Sequence, residues 1–340
     1  MNAPILTVNQ LCTQLKIGVQ STTIVDSLSF ALYPGKTLAL VGESGCGKTM
    51  TALSLMRILP TPPALPSTGE VLYRGRNLLT ATEKEMRQVR GGKIGMIFQD
   101  PTAALNPVYT IGNQLVEVAN LHLNLYDDAA EVRAIAALHE VGMPHPRTLL
   151  EMYPHQLSGG MRQRVMIAMA LLGEPDILIA DEPTTALDVT IQAQVLQLIR
   201  TIQQKRNMAV LLITHDMGVV AACADDVTVM YAGQKVESAP VIPLFDHLSH
   251  PYTQGLFASR PAIHKPKEKL HTIRGQVPSP LHYPSGCRFH PRCPYAMEKC
   301  AQKPVPLFHP WGKEEQQTRC LLYDGTQESE EKKRNWNDAS

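Results

Sequence analysis

The sequence predicts an α/β core that is interrupted by an all-helical block and followed by a smaller C-terminal region. Strand-like and helix-like segments alternate up to about residue 240, but residues 110–172 carry almost no strand signal. Four of the seven cysteines crowd the last sixth of the chain. A length of 340 residues suits about two domains, and a hydrophobic content of 44% excludes wholesale disorder.

The predicted strands are short runs of β-branched or alternating apolar residues. Five of them precede the helical block and three follow it. In chain order they are LTV (6–8), STTIVDSLSFAL (21–32), TLALV (37–41), GEVLYRG (69–75), KIGMIF (93–98), DILIAD (176–181), AVLLIT (209–214) and DVTVMYAG (226–233).

The predicted helices carry apolar residues at helical spacing. One begins at Thr49, three fill the block up to residue 172, and one (191–205) lies between two apolar strands. No apolar run approaches the roughly 18–20 residues that cross a bilayer, and the N-terminal residues lack the pattern of a secretory signal. We therefore expect a cytosolic chain that reaches a membrane only by docking on another protein.

The segment GESGCGKT matches the phosphate-binding pattern G-x-x-x-x-G-K-[ST] and lies between an apolar strand and a predicted helix, as that pattern requires. Its glycines let the backbone curl so that N–H groups face phosphate oxygens, and the helix start adds a favourable dipole. Lys48 can reach the β- and γ-phosphates, and the Thr49 hydroxyl can ligate Mg²⁺. The candidate phosphate-binding residues are Gly42, Glu43, Ser44, Gly45, Cys46, Gly47, Lys48 and Thr49.

Two carboxylates, Asp181 and Glu182, stand at the end of the apolar strand DILIAD. This position suits Mg²⁺ binding by Asp181, directly or through water. Glu182 can then polarise a water molecule for attack on the γ-phosphate as a general base, a role that contributes about 10²–10⁴-fold in rate.

Two further polar residues end apolar strands. His215 follows AVLLIT, which we expect to lie beside DILIAD, so that its side chain can reach the γ-phosphate. Gln99 follows KIGMIF at the entrance to the helical block, where an amide can ligate Mg²⁺ and hydrogen-bond the attacking water. The alternatives at these positions are a structural histidine and a capping glutamine.

A second glycine-containing segment, LSGGMRQR (157–164), stands at a predicted helix start. Ser158 is a good N-cap, and Gly159 and Gly160 expose backbone N–H groups to an anion. A single chain has no evident need for two separate anion sites, so this segment points to an assembly of more than one copy or chain.

With these motifs, about residues 4–240 resemble the ATP-binding subunits of ABC transporters. The resemblance rests on the phosphate loop, Gln99, LSGGM, ILIADEP, TALD (185–188) and His215. It implies a P-loop NTPase core of the RecA-like type, with antiparallel β and all-helical subdomains. It also implies a head-to-tail dimer in which Ser158 and Gly160 of one subunit cap the γ-phosphate held by Lys48 of the other. Asp188 would lie near the seam of that dimer.

One position departs from the family pattern. ABC ATPases often stack the adenine on an aromatic residue in the first strand region, and alignment of LCTQL places Leu15 there. An absent aromatic face costs about 0.5–1.5 kcal/mol of stacking. A contact from the partner subunit, or an aliphatic side chain, is the alternative that would compensate for the missing stacking on the adenine.

The C-terminal region narrows the resemblance to the oligopeptide/dipeptide-permease ATPases, whose C-terminal extension it resembles. The similar segments are HPYTQGLFASRP (250–261), PSGCRFHPRCPYAMEKC (284–300) and, in the core, IFQDPTAALNP (97–107), YPHQLSGGM (153–161) and DEPTTALDVTIQAQ (181–194). The resemblance then covers about residues 4–325, nearly the whole chain.

The four late cysteines, Cys287, Cys293, Cys300 and Cys320, have the spacing C-x₅-C-x₆-C-x₁₉-C. In a cytosolic protein such a group suggests ligation of a metal by thiolates, and the Cys293-Pro294 pair is compatible with an iron–sulfur loop. Zinc and unligated thiols are the alternatives. The family resemblance implies a structural [4Fe–4S] cluster on these four residues.

The predicted organisation has three regions. An ATPase domain spans residues 1–240 and contains the helical subdomain at about 100–172, and a cysteine-containing extension spans 241–326. Residues 327–340 are polar and charged, which predicts a mobile tail.

The resemblance implies a subunit that hydrolyses ATP to power uptake of di- and oligopeptides, with ATP, Mg²⁺ and the [4Fe–4S] cluster (or zinc) bound. It would lie peripherally on the cytoplasmic face of the membrane, with two transmembrane permease subunits received by the helical block. A second, homologous ATPase subunit would complete the dimer, and an extracytoplasmic solute-binding protein would act indirectly.

Other functions fit the sequence less well. The same motor with nickel or glutathione as its cargo is the alternative, because close relatives share the ATPase motifs. A non-transport ABC ATPase would need a second ATPase module or long coiled coils, and a vestigial ATPase acting as a metal-sensing module would not need intact Lys48, Asp181, Glu182 and His215. A net charge of +1 argues against nucleic acid as a partner.

Overall fold

The computed structural model describes residues 3–185, 188–259 and 272–337. Contacts divide these residues into two compact units. The first unit comprises residues 3–7, Ala31–Thr37 and Val71–Ile213, and the second comprises Val8–Phe30, Leu38–Glu70 and the described residues from Thr214 onward. Within the described ranges, no helix combines the length and the apolar character that a membrane crossing requires.

Each predicted strand is confirmed, and the structure adds three strands that were not predicted from the sequence. The bounds of the strands are β1 (Leu6–Ile17), β2 (Gln20–Leu32), β3 (Thr37–Val41), β4 (Thr68–Tyr73), β5 (Arg76–Asn77), β6 (Ile94–Ile97), β7 (Ile177–Asp181), β8 (Ala209–Thr214), β9 (Asp226–Tyr231), β10 (Gln234–Pro240) and β11 (Gln317–Thr318). The added strands are β5, β10 and β11.

The helices include the predicted all-helical block, in which four helices of at least five residues follow one another without a strand. The bounds are α1 (Lys48–Met56), α2 (Glu83–Val89), α3 (Pro101–Ala104), α4 (Ile111–Leu123), α5 (Asp127–Glu140), α6 (Pro146–Leu150), α7 (Gly159–Leu172), α8 (Val189–Arg206), α9 (Met217–Cys223), α10 (Val241–Asp246), α11 (Pro251–Ala258) and α12 (Gln327–Asn337).

In the first unit, β6, β7 and β8 are parallel neighbours in that order. Their residues are buried along the whole strand, which explains the continuous apolar runs, because a parallel sheet is covered on both faces. Asp181 at the end of β7 pairs in register with Ile213 of β8. The expectation that AVLLIT lies beside DILIAD is therefore confirmed.

The helical block of the first unit is built around α7. Helices α4 and α5 pack against each other and against α7. The Thr110 hydroxyl caps α4 by accepting a hydrogen bond from the Asn113 N–H (3.2 Å), so a short polar turn starts the helix. The N-terminus of α7, with the glycine pair, lies at an exposed edge of this block.

In the second unit, β3 is parallel to β9, β10 pairs antiparallel with β9, and β11 pairs antiparallel with β10. Three buried aromatic rings follow from this arrangement: Tyr231 ends β9, Tyr252 lies on α11, and Phe289 belongs to the cysteine-containing segment. The centroid of the Tyr231 ring lies 5.2 Å from that of Phe289 and 4.6 Å from that of Tyr252. The extension therefore shares one core with the strand β9.

The prediction of a mobile tail over residues 327–340 is wrong for its described part. Residues Gln327–Asn337 form α12, and Trp336 is only 3% exposed. Its indole packs in a cluster with Met297 and Leu322, and its Nε1–H donates a hydrogen bond to Gln254. One buried aromatic side chain supplies the apolar contact that the average polarity of the segment conceals. Residues 338–340 lie outside the described residues.

Candidate functional site

The phosphate-binding segment forms a tight loop between β3 and α1. Gly42 and Gly47 have φ values of 155° and 105°. A Cβ atom at Gly42 would collide with the carbonyl oxygen of Met230, and one at Gly47 would lie 2.9 Å from the carbonyl oxygen of Ile24. Only glycine fits these two positions, because the neighbouring backbone comes so close.

The charged and hydroxyl side chains of the loop stand at the start of α1. Lys48 is 5% exposed, and its ammonium donates hydrogen bonds to the carbonyl oxygens of Gly42 (2.7 Å) and Glu43 (3.1 Å). Thr49 is half-buried, while Ser44 and Gly45 are exposed. Exposed loop backbone ahead of a nine-residue helix is the arrangement that binds phosphate groups.

Cys46 lies inside the loop and is completely buried. Burial raises the pKa of its thiol, although the nearby Lys48 ammonium acts in the opposite direction. A buried neutral thiol fills space and is a poor nucleophile. Cys46 therefore belongs to the loop as a packing residue.

Glu43 connects the loop to the cysteine-containing extension, a contact that sequence reasoning missed. Its carboxylate accepts two hydrogen bonds from the guanidinium of Arg292, at 2.7 and 3.0 Å. Its backbone N–H donates to the hydroxyl oxygen of Tyr252 (2.8 Å). Both partners lie in segments that resemble the family extension, but spacing in a single sequence cannot reveal a contact between residues 249 positions apart.

The acidic turn after β7 belongs to the first unit. Asp181 is 1% exposed, and Glu182 has a φ of 47°, an uncommon value for a residue with a side chain. The Glu182 N–H donates to the carbonyl oxygen of Ile213 (2.9 Å), which holds the turn against β8. A strained residue held by its neighbours is typical of functional sites.

The structure brings together two residues that the sequence singled out separately. The Gln99 Nε2–H donates to Glu182 Oε2 (3.2 Å), and the Thr185 hydroxyl donates to the same oxygen (2.9 Å). Both contacts orient the Glu182 carboxylate at the carboxyl edge of the parallel strands. Thr185 is an additional candidate that the sequence could have suggested only through its position in the turn.

Ser158 caps α7, as predicted from its position. Its hydroxyl oxygen accepts a hydrogen bond from the Met161 N–H (3.3 Å), and both Ser158 and Gly159 are exposed. A Cβ atom at Gly160 would lie 3.5 Å from the Ile191 side chain of α8. The N-terminus of α7 is therefore open to an anion at Ser158 and Gly159 and packed at Gly160.

Helix α7 is linked to the acidic turn, and α8 begins shortly after that turn. Gln163 donates a hydrogen bond from Nε2 to the Pro183 carbonyl oxygen (2.5 Å). Asp188 caps α8, since its Oδ1 accepts from the Ile191 N–H (2.9 Å). The middle of the TALD segment, residues 186–187, lies outside the described residues. A direct hydrogen bond thus joins the glycine-pair helix to the turn that carries Glu182.

The strands β8 and β1 fix the positions of two other predicted residues. His215 is exposed and directly follows β8, the strand beside β7. Leu15 lies in β1, is half-buried, and forms an isolated bridge with Ala64. Lys48, Thr49 and His215 belong to the second unit, whereas Gln99, Ser158 and Glu182 belong to the first.

The four late cysteines converge in the second unit. Cys300 and Cys320 are buried with Met297, Leu322 and Trp336, and Cys287 packs on this cluster. The Cys287 N–H donates to the Cys300 carbonyl oxygen (2.8 Å). Burial raises the pKa of the Cys287 thiol to about 11 and that of Cys293 to about 12.

The geometry of these thiols does not by itself support the predicted metal centre. Among the described residues, no group of three or more His, Cys, Asp or Glu side chains is arranged to hold a metal ion. The chemistry of the donors does fit a metal, since four thiols lie near enough for the other three to raise the pKa of Cys320 in addition to the larger effect of burial. The cysteines are thus gathered but not in a ligating arrangement.

Comparison with known proteins agrees with these features. The family models described as "ABC transporter" and "Oligopeptide/dipeptide transporter, C-terminal region" match residues 25–185 and 236–300. The oligopeptide transport ATP-binding protein AppD of Bacillus subtilis is 48% identical over 321 residues, which cover 94% of this chain and 97% of AppD. The dipeptide transport ATP-binding protein DppD of Bacillus subtilis is 50% identical over 276 residues, which cover 81% of this chain and 82% of DppD.

Solved structures confirm the predicted α/β fold. The cbiO1 protein of Clostridium perfringens, part of the ABC transporter complex cbiONQ, has a TM-score of 0.60 at 26% identity and covers 72% of this chain and 91% of its own. The ATP-binding cassette MJ0796, solved as a dimer with ADP and Pi, has a TM-score of 0.61 at 24% identity and covers 69% and 98%.

Proposed function

The chain belongs to the ATP-binding subunits of ABC transporters, in their oligopeptide and dipeptide branch, and we propose that it hydrolyses ATP to power peptide uptake. The observation that carries this proposal is the oriented Glu182 carboxylate, held by Gln99 and Thr185 at the edge of a parallel sheet. A carboxylate in this place is suited to accept a proton from a water molecule that attacks the γ-phosphate.

The phosphate loop would bind the triphosphate of ATP. Backbone N–H groups of the loop after Glu43 would face the anion, and the Lys48 ammonium would exchange its bonds with loop carbonyl oxygens for bonds to the β- and γ-phosphates. Thr49, Gln99 and Asp181 would hold Mg²⁺, since their oxygen atoms suit that ion. When bound, Mg²⁺ neutralises phosphate charge.

The remaining site residues would act around the γ-phosphate. His215 would donate a hydrogen bond to it. Gln99 would help to orient both the attacking water and the Glu182 carboxylate. Ser158, Gly159 and Gly160 at the open N-terminus of α7 would cap the ATP bound by a second, homologous subunit in a head-to-tail dimer, with Asp188 near the seam. The exposed position of Ser158 supports this role.

The permease subunits would dock on the helical block. Several large apolar side chains are exposed there, including Val108 (72%) and Tyr109 (52%) before α4 and Leu121 (68%) on it. We place the protein on the cytoplasmic face of the membrane, bound to two transmembrane permeases, with the extracytoplasmic solute-binding protein acting through them. Cargo selection would rest with those partners.

Glu182→Gln tests the proposed chemistry. We expect this variant to bind ATP with an affinity near that of the wild type and to hydrolyse it at least about 100-fold more slowly, because the base is lost. The measurements are nucleotide binding by calorimetry and phosphate release by the subunit assembled with its permeases. Glu315→Gln, at an exposed position, is the matched control. Hydrolysis at the wild-type rate in the Glu182 variant would remove Glu182 as the base.

We further propose that Cys287, Cys293, Cys300 and Cys320 hold a structural [4Fe–4S] cluster, with zinc as the alternative occupant. Cys287, Cys300 and Cys320 share one buried cluster, and Cys293 lies near enough to raise the pKa of Cys320, which supports this proposal. Loading would require the thiols to move into ligating geometry.

Anaerobically purified protein tests the cysteine proposal. We expect a brown protein with broad absorbance in the visible blue and about four iron and four sulfide per chain. Cys320→Ser should lose most of this absorbance, whereas Cys12→Ser, on β1, should keep it. Stoichiometric zinc without iron would assign the site to zinc instead.

A further inference from the structure

Glu43 places a carboxylate inside a loop that must bind a triphosphate, and the extension supplies the charge that offsets it. The ion pair with Arg292 is bidentate, with N–O distances of 2.7 and 3.0 Å. The Arg292 side chain is 8% exposed and that of Glu43 is 26% exposed. A paired, two-point contact of this kind fixes both the position and the orientation of the carboxylate.

The guanidinium of Arg292 is itself held on several sides. Its Nε–H donates to the carbonyl oxygen of Arg274 (2.8 Å), and its terminal nitrogens donate to the Tyr231 hydroxyl (3.3 Å) and the Gly275 carbonyl oxygen (3.3 Å). It also lies 5.9 Å from the centroid of the Phe289 ring. Burial alone would lower its pKa, but the bonds to Glu43 and Tyr231 carry the pKa above its ordinary value.

The backbone of Glu43 is fixed by an independent contact. The Tyr252 hydroxyl that accepts its N–H belongs to a completely buried ring, which packs against Tyr231 and Phe289. The extension therefore holds both the main chain and the side chain of this loop residue. The same residue also supplies a carbonyl oxygen to the Lys48 ammonium (3.1 Å).

The charge of Glu43 reaches the centre of the loop. Burial chiefly raises the pKa of the Cys46 thiol, and the Glu43 carboxylate raises it further. A negative charge close enough to act on Cys46 would also repel the phosphate groups of a bound nucleotide unless a cation neutralises that charge. Lys48 is committed to the phosphates in the proposed function, so that cation has to come from elsewhere.

We propose that Arg292 is a positioning residue of the nucleotide site, which fixes and neutralises Glu43 so that the phosphate loop accepts a triphosphate. The inference rests on the proposed ATP-binding function. It assigns the extension a direct part in nucleotide affinity, through a residue that touches the loop and not the nucleotide.

A charge-compensation cycle tests this role. We expect Arg292→Gln to raise the Kd for ATP about 10-fold, with a smaller rise for ADP, because fewer phosphate charges meet Glu43. The KM for ATP should rise while kcat stays within about 2-fold, as for lost ground-state binding. In the double variant E43Q/R292Q the Kd should return to within about 3-fold of the wild type, because both charges are gone. Arg292→Lys, which keeps the charge, should also stay near the wild type.

Arg288→Gln is the matched control. Arg288 comes from the same segment, is 13% exposed, pairs with Asp26 of β2 at 2.5 Å and donates a hydrogen bond to the Ala232 carbonyl oxygen (2.5 Å). Its loss should lower the thermal stability and leave the Kd for ATP within about 2-fold. If the double variant binds ATP as weakly as Arg292→Gln, or if Arg292→Gln binds like the wild type, the proposal is overturned. A wild-type chain that binds no ATP would instead count against the proposed function.

Discussion

Glu237 and His250 form a buried polar pair in the second unit. Glu237 is fully buried in β10, and its carboxylate accepts hydrogen bonds from the backbone N–H groups of Ser249 (2.7 Å) and His250 (3.0 Å). Burial raises the pKa of Glu237 to about 7 against the effect of these bonds, and burial lowers the pKa of His250 to about 3. The two neighbours therefore hold opposite preferences for a proton in the folded state.

Their effects on stability have opposite signs. Between its ordinary value of 4.5 and about 7, Glu237 keeps a proton in the folded state that the unfolded chain releases, so stability falls as pH rises. Between about 3 and 6.5, the unfolded chain holds a proton on His250 that the folded state lacks, so stability rises with pH. Where the two windows overlap, the contributions cancel.

Glu237→Gln should uncover the contribution of His250. Relative to the wild type, we expect the free energy of unfolding of this variant to rise by about 1.4 kcal/mol per pH unit across about pH 5 to 6. Urea unfolding at several pH values measures this slope, which is independent of any constant loss of stability. The exposed Glu315→Gln variant should follow the wild type. Parallel curves for wild type and Glu237→Gln would show that Glu237 is ionised throughout.

At the level of elements, periodicity predicted the strands and the helical block, because their burial follows regular spacing along the chain. Periodicity did not predict α12, because polar residues surround its single buried aromatic side chain, Trp336. Ser329 adds a second point of attachment, since its hydroxyl donates to the Leu321 carbonyl oxygen (2.7 Å) and accepts from the Lys299 ammonium (2.8 Å). Tertiary contacts of this kind decide helix formation where the sequence average does not.

Trp336→Ala tests whether one side chain holds α12 in place. We expect the attachment of the helix to weaken by about 3–5 kcal/mol, as for other buried aromatic truncations. Hydrogen exchange of the α12 amides should rise strongly, while exchange in the parallel strands β6 to β8 stays unchanged. Arg334→Ala, at an exposed position on the same helix, should leave the protection intact. Equal protection in both variants would contradict the role of Trp336 as the anchor.

For the whole molecule, the site was predictable where its chemistry is local in sequence. The phosphate loop, the acidic turn and the Ser158 cap are each formed by residues adjacent in sequence, and the types of these residues indicate what the segment binds or does. Contacts such as Gln163 with Pro183 or Arg292 with Glu43 join distant segments, and only the folded chain reveals them. The cysteines show the reverse case, because their spacing predicted a metal centre that the positions of the thiols do not display.

The pairing of Arg292 with Glu43 also determines when, during synthesis of the chain, the phosphate loop obtains its partner. The two residues are 249 positions apart, so a ribosome that adds about 5–20 residues per second makes the partner of the loop about 12–50 s after the loop itself. During that interval the nascent chain would carry an uncompensated carboxylate in its phosphate loop. Full affinity for ATP would thus be reached only when the chain is almost complete, and a chain terminated before Arg292 would bind the nucleotide about 10-fold more weakly.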